Sequence, residues 1–263
     1  MRCKAALHRL SKISAIIFFG LPSLAAAGSD GEFDIGGIYY DLSDDFADTS
    51  GIYARGRLGP YGPNEWRAEL VQLDRFDDDG VFAALGNIHQ FNDEWFSDIA
   101  VGSSAGGFFW PELRIDASLN KRWFKQRNLV TTVGVTYFDA KDIHTDTGYR
   151  FESSYYTETP WVFQAGIQYN ESEPGSVGSV SGYGAVSHNL TGDRELTLRV
   201  GGGEQAYQVV ENDSFQVDVN FLSVRFVARQ WIGAKWGINF VADTYHSTTY
   251  DQHGVEVGLF KVF

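Results

Sequence analysis

The sequence predicts an all-β fold: a single transmembrane antiparallel up-and-down β-barrel of 14 strands, with 12 as the alternative count. Three observations predict it. Apolar residues alternate with polar ones at a period of two along most of the chain, the mark of strands with two different environments. Aromatic residues make up 15% of the chain and glycines number 29, against 6 prolines, while mean hydropathy is −0.22. Strands that are greasy on one face only give that combination. Finally, no apolar run beyond residue 27 is long enough to cross a membrane as a helix, which takes about 20 residues.

The first segment reads as an export signal, residues 1–27, to be set aside before the fold is considered. Arg2, Lys4, Arg9 and Lys12 form a basic start, Ile13 to Leu24 a short apolar core interrupted by Pro22, and Ala25-Ala26-Ala27 the small residues a signal peptidase needs. Residues 28–263 are then one barrel domain. The only cysteine, Cys3, lies in the removed segment. The mature chain is therefore expected to have no disulfide, no thiol nucleophile, no cysteine metal site and no lipid anchor. A net charge of −13 offers no basic stripe for phosphates, so no nucleic-acid partner is expected.

Fourteen strands are expected near residues 32–42, 50–58, 65–75, 80–90, 94–103, 110–123, 129–139, 148–156, 161–170, 178–190, 194–203, 215–231, 235–245 and 254–263. In the ninth, Trp161, Phe163, Ala165, Ile167 and Tyr169 oppose Gln164, Gly166, Gln168 and Asn170. In the sixth, Leu113, Ile115, Ala117 and Leu119 oppose Arg114, Asp116, Ser118 and Asn120. The eleventh sets Leu196, Leu198 and Val200 against Glu195, Thr197 and Arg199. The thirteenth sets Trp236, Ile238, Phe240 and Ala242 against Gly237, Asn239 and Asp243. In the twelfth the apolar face changes parity, from Phe215, Val217, Val219 and Phe221 to Leu222, Val224, Phe226 and Ala228. Either a β-bulge near Phe221 or a strand projecting beyond the membrane accounts for the switch.

The connections favour a membrane barrel over a soluble sandwich. Gly59–Asn64, Asn92-Asp93, Phe124–Asn128, Thr157–Pro160, Thr191–Asp193 and Ile232–Ala234 read as short periplasmic turns. Between them, Ser43–Thr49, Ser104–Phe109, Ala140–Thr147, Glu171–Val177, Glu204–Ser214 and His246–His253 read as longer outside loops. Phe76–Asp79 is short although it falls in the outside set, which keeps 12 strands open. Tyr39, Tyr40, Trp66, Trp95, Trp110, Trp123, Tyr137, Tyr155, Tyr156, Trp161, Trp231, Trp236 and Tyr245 lie near strand ends, where interfacial girdles belong.

If the apolar faces meet lipid, the opposite positions point inward. Lumen-lining candidates are Arg55, Arg57, Arg67, Glu69, Glu112, Arg114, Asp116, Arg150, Glu152, Gln164, Gln168, Glu195, Arg199, Arg225, Arg229 and Asp243. An arginine facing lipid at mid-depth costs about 2–4 kcal/mol, which forces most of them inward. They would form either a self-neutralising ladder filling the interior or the lining of a hydrated path.

Catalytic groupings are weak, and no catalytic residue, metal site or cofactor is expected. His246 and His253 flank the last outside loop with Ser247, Asp251 and Tyr245, the best hydrolase grouping available. His188 follows Ser187 but faces the other side of its strand. Asp142, His144 and Asp146, like Asp74, Asp77, Asp78 and Asp79, lack diagnostic metal spacing. Gly201-Gly202-Gly203 lacks the residues of a phosphate loop and suits close packing in the wall.

Two resemblances add to this reading. The C-terminal strand resembles the signature that outer-membrane barrel assembly machinery reads, through Glu256, Gly258 and Phe263, with Lys261 where an apolar residue is usual. The mature chain resembles the YaiO family of outer-membrane β-barrels. Gly36-Gly37-Ile38-Tyr39-Tyr40-Asp41-Leu42-Ser43-Asp44, Arg67 and Arg75, Phe109-Trp110-Pro111-Glu112, and Gly175 to Ser181 carry that resemblance. It implies a standalone barrel of the Gram-negative outer membrane, in a family often set among surface-polysaccharide functions, and no established reaction. Outer-membrane lipid and lipopolysaccharide, the assembly machinery and polysaccharide follow as expected partners. Three functions stay open: a narrow polar-lined pore or translocation barrel, a plugged structural or surface-interaction barrel, and an outer-membrane hydrolase.

Overall fold

The computed structural model describes residues 31–44, 46–190, 192–209 and 215–263. The expected signal segment lies outside them. Fourteen strands pair in sequence order and close into one antiparallel barrel, with the last strand paired to the first. They are β1 Gly31–Leu42, β2 Thr49–Tyr61, β3 Asn64–Arg75, β4 Asp78–Gln90, β5 Trp95–Gly106, β6 Leu113–Trp123 and β7 Leu129–Asp139. The rest are β8 Thr145–Tyr156, β9 Trp161–Glu173, β10 Val177–Leu190, β11 Arg194–Val209, β12 Phe215–Trp231, β13 Trp236–Ser247 and β14 Asp251–Val262. The short link at Phe76-Asp77 is a true hairpin between β3 and β4, which settles the count at fourteen and removes the twelve-strand alternative. Phe76 and Asp77 both adopt positive φ (57° and 60°), the backbone a two-residue hairpin turn needs.

Alternation decides which face each side chain takes, and closure decides what that face meets. Phe33, Ile35 and Tyr39 of β1, Val133 and Val135 of β7, and Trp161, Phe163, Ile167 and Tyr169 of β9 are exposed on the outer wall. Their neighbours turn inward. The proof is contact between strands that are not adjacent, which only the interior allows. Arg225 on β12 reaches Glu256 on β14, Arg229 on β12 reaches Glu32 on β1, and Arg75 on β3 reaches Gln252 on β14.

The register runs without a shift along β11–β12 and β12–β13. The parity change at Phe221 is therefore not a bulge. From Phe221 onward β12 pairs on both sides, whereas Phe215–Asn220 pairs with β11 alone, so this hairpin projects beyond its neighbours. The described ladders do shift between Leu58 and Tyr61 of β2, beside Pro60, which cannot donate to a ladder.

The expected contrast between short turns and long loops largely disappears. β8, β10 and β14 begin, and β9, β11 and β13 end, inside segments read as loops, leaving links as short as 174–176 and 248–250. Polar composition there reflects strands that continue into water past the hydrocarbon, because backbone pairing needs no apolar side chain. Conversely β6 starts at Leu113 rather than residue 110, and residues 107–112 form a loop at the end of the barrel opposite the start of β1 and the end of β14, the terminal end.

Interior glycines and aromatic rings are matched. A Cβ on Gly254 would enter the ring of Tyr40, one on Gly102 the ring of Phe82, and one on Gly166 the ring of Tyr183. Rings lying over bare backbone across a strand pair explain why a barrel this rich in aromatics is also rich in glycine.

Candidate functional site: the barrel interior

Two structures occupy the interior. The first is a belt of charged side chains. Glu256 sits 2.7 Å from Arg225 and 3.5 Å from Arg55, and Arg55 lies 2.7 Å from Glu69. Arg225 also meets Asp243 at 3.0 Å, and Tyr40 donates its hydroxyl to Glu256 at 2.9 Å. On the facing wall Arg114 pairs with Asp116 at 2.7 Å, and Arg150 stands 3.9 Å from Asp116 and 3.6 Å from Glu152. Glu152 accepts from Tyr183 at 3.0 Å, and Arg199 lies over the Tyr183 ring at 3.5 Å. Arg67 pairs with Asp98. Towards the termini, Glu32 takes Arg229 at 2.8 Å and Arg57 at 3.8 Å, with Glu65 3.2 Å from Arg57.

Most of the candidate positions thus meet each other. Gln164 receives no ion but donates to Ser154 at 3.0 Å, Gln168 lies over Gly148, and Glu195 stands across the ladder from Arg229. Glu112 is the exception. It precedes β6 and is exposed in the 107–112 loop, because the strand begins three residues later than alternation suggests. Sequence reasoning missed Glu32, Asp34, Glu65, Asp98, Tyr183 and Glu256, although each lies on the polar parity of its strand, a signal that was available.

The second structure was invisible to periodicity. Nine rings form a continuous chain from β4 to β12 on the inward side: Phe82, Trp110, Phe109, Phe108, Phe76, Phe46, Tyr250, Tyr245 and Phe221. Successive centroids lie 5.0–6.2 Å apart, and Trp110 stacks on Phe82 at 5.0 Å and 14°. Trp110 and Phe82 keep 1% of their surface exposed and Phe109 2%. Gly106 and Gly107 (φ 65° and 55°) turn the loop inward, a backbone conformation glycine adopts without a Cβ penalty. Asp78 then accepts the Phe108 N–H at 2.8 Å, and the Ser103 and Ser104 hydroxyls donate to the carbonyls of Glu112 and Pro111. Lys141 caps the base of the loop through the Gly106 and Gly107 carbonyls, and loss of water holds its ammonium below the ordinary lysine pKa.

The aromatic girdle is accordingly smaller than expected. Trp66, Trp123, Tyr155, Trp161 and Trp236 are exposed on the wall, but Trp110 and Tyr40 are buried and Tyr156, Trp231 and Tyr245 turn inward. Lys261 is exposed and faces Trp236 across the ladder near the terminal end, where a long cation reaches the interface.

The hydrolase grouping is dispersed by the fold. His246 pairs with Asp251 on the outer face, whereas the Ser247 hydroxyl accepts the backbone N–H groups of Thr249 and Tyr250 and donates to the Tyr250 carbonyl. His253 meets Thr244 at 2.9 Å. Ser187 bonds Thr197 while His188 stands against Trp161, the opposite sides that strand geometry requires. Asp142 bonds His144, whereas Asp146 receives Asn170 at 3.1 Å. Among the described residues no three His, Cys, Asp or Glu side chains converge as a metal set.

A closed fourteen-strand barrel with an apolar outer wall and a charged interior is a transmembrane barrel of the bacterial outer-membrane class. The chain belongs to the YaiO membrane beta barrel domain family, which matches residues 30–208. The match stops within β11, yet β12–β14 complete the same barrel. No curated protein sequence matches the chain. Solved structures share the fold at low identity. The translocator domain of the autotransporter NalP from Neisseria meningitidis is 12% identical with a TM-score of 0.53, over 100% of this chain and 96% of that one. A bacterial polysaccharide outer membrane secretin is 12% identical at 0.51, over 89% and 98%. OccD1 (OprD) Y282R/D307H is 8% identical at 0.53, over 90% and 96%.

Proposed function

We propose that this outer-membrane barrel is closed at rest and that its working part is the loop cluster at the end opposite the termini. The observation that carries this reading is the ring chain, whose largest member Trp110 is 1% exposed inside what would otherwise be the mouth of the lumen. The belt supports it further, since paired charges leave few groups to coordinate a passing ion. The reading is non-enzymatic: the one serine beside the best histidine pair is engaged in capping its own turn.

A second reading has its own support. Arg55 and Arg225 keep 35% and 33% of their side-chain surface accessible behind the rings, so the middle of the lumen has room for water. A hydrated, hydrogen-bonding chamber suits gated passage of a polar polymer such as surface polysaccharide once the 107–112 loop moves.

Planar-bilayer recording tests the closed state. The barrel is expected to insert silently, and a triple Phe108→Ala, Phe109→Ala, Trp110→Ala variant to give discrete conductance steps. A steady open current from the unaltered protein sinks the proposal. A folded triple variant that stays silent overturns the assignment of the seal to the rings.

A further inference from the structure

The outer wall carries a feature that neither the interior nor the loop cluster uses. The β6–β7 turn lies at the end of the barrel where β1 starts and β14 ends, the periplasmic end in the reading above. The end of β6 and this turn together read Lys121-Arg122-Trp123-Phe124-Lys125-Gln126-Arg127, with four of the 21 basic residues of a chain whose net charge is −13. On the wall, the Lys121 ammonium sits 3.9 Å from the Trp123 ring centroid and 5.0 Å from that of Trp95, held between two indoles. Phe124 is 66% exposed. Phe124 and Arg127 both take positive φ (66° and 55°), a conformation disfavoured for bulky side chains. Arg127 meets Asp93 at 2.6 Å and Arg122 donates to the Asp93 carbonyl at 3.2 Å, tying this turn to the neighbouring 91–94 turn. Arg122 turns inward over Phe96, which leaves Lys121, Lys125 and Arg127 beside the exposed indole and phenyl rings, with the Asp93 carboxylate paired to Arg127.

We infer that Lys121, Lys125 and Arg127, with Trp95, Trp123 and Phe124, form a binding site for the headgroup of an anionic phospholipid in the periplasmic leaflet. The rings set the depth, because indole and phenyl groups settle between headgroups and acyl chains. The cations select the lipid, because a clustered basic patch favours an anionic over a zwitterionic headgroup. Lys121 lies on the wall between its two indoles, and Lys125 and Arg127 stand in the turn that follows it. The inference rests on the orientation given above, and its test is independent of whether the lumen conducts.

The full barrel is reconstituted in vesicles of phosphatidylethanolamine mixed with phosphatidylglycerol, and the lipid that stays bound after extraction is counted by native mass spectrometry. Retained phosphatidylglycerol is expected to exceed its share in the vesicle about tenfold. The excess falls at high salt, because a headgroup held at the surface is screened. The Lys121→Gln, Lys125→Gln, Arg127→Gln variant is expected to lose the excess, with its fold checked by heat-modifiable mobility. A Lys235→Gln, Lys261→Gln control at the same end keeps it. Retention in proportion to vesicle composition overturns the site, and so does an excess indifferent to salt or lost equally in the control. The first and second measurements need no variant, so they decide the matter even if the triple variant fails to fold.

Discussion

Replacing Glu256 by glutamine preserves side-chain volume and removes one charge from the middle of the belt. The carboxylate takes Arg225 at 2.7 Å and the Tyr40 hydroxyl at 2.9 Å, and stands 3.5 Å from Arg55. In Glu256→Gln two guanidinium groups converge on a neutral amide. Removing one partner of a buried ion pair costs about 3–5 kcal/mol. Here Glu256 is buried but water reaches about a third of each arginine, which screens the uncompensated charge, so about 2–3 kcal/mol is expected. Urea unfolding of the reconstituted barrel, followed by tryptophan fluorescence, reads the loss directly. Arg225→Gln in the same background supplies the second half of a cycle. The double variant is expected to be less destabilised than the two single losses together by about 1–2 kcal/mol, because neutralising Arg225 removes the charge that Glu256→Gln strands. A Glu256→Gln protein within about 0.5 kcal/mol of the original, or strict additivity with Arg225→Gln, refutes the belt as an energetic unit.

Gly254→Ala places a Cβ in the ring of Tyr40, so the ring must leave its place over the backbone and its bond to Glu256. The cost is expected at about 1–3 kcal/mol, seen as an earlier heat-modifiable transition on a gel, and an unchanged transition contradicts the ring-over-glycine packing. His246→Ala removes an exposed pair with Asp251 on the outer face. It is expected to change stability by less than about 1 kcal/mol, and with His253→Ala to leave lipid and glycan turnover at the unaltered level. A drop in hydrolysis would return His246 and His253 to candidacy.

Much of the wall was legible because alternation is a local property. Trp161 to Asn170 and Leu113 to Asn120 display their two faces without reference to any other strand, and those faces persist in the barrel. The same logic brought Arg55, Glu69, Arg225 and Asp243 to one side of their strands. It failed where polarity and pairing part company. Gly- and Ser-rich segments such as residues 171–177 look like loops, yet all but residues 174–176 belong to β9 and β10, since two strand edges can pair above the membrane as well as within it. The projecting β11–β12 hairpin produced a parity change that one strand alone could not distinguish from a bulge.

By itself, then, the sequence determined the class of fold, the number of strands to within one hairpin, and the parity of nearly every charged residue, because each depends on neighbours two positions apart. Tertiary structure decided which charges meet. Arg229 and Glu32 are 197 residues apart, Tyr40 and Glu256 are 216, and both pairs exist only when the last strand closes on the first. It also decided that Trp110 lies inside the mouth rather than in an interfacial girdle, with Phe109 of the preceding loop buried beside it. A loop has no periodicity to declare its direction. Inside the mouth those rings are buried against one another and against Phe82, contacts that exist only once the strands have closed.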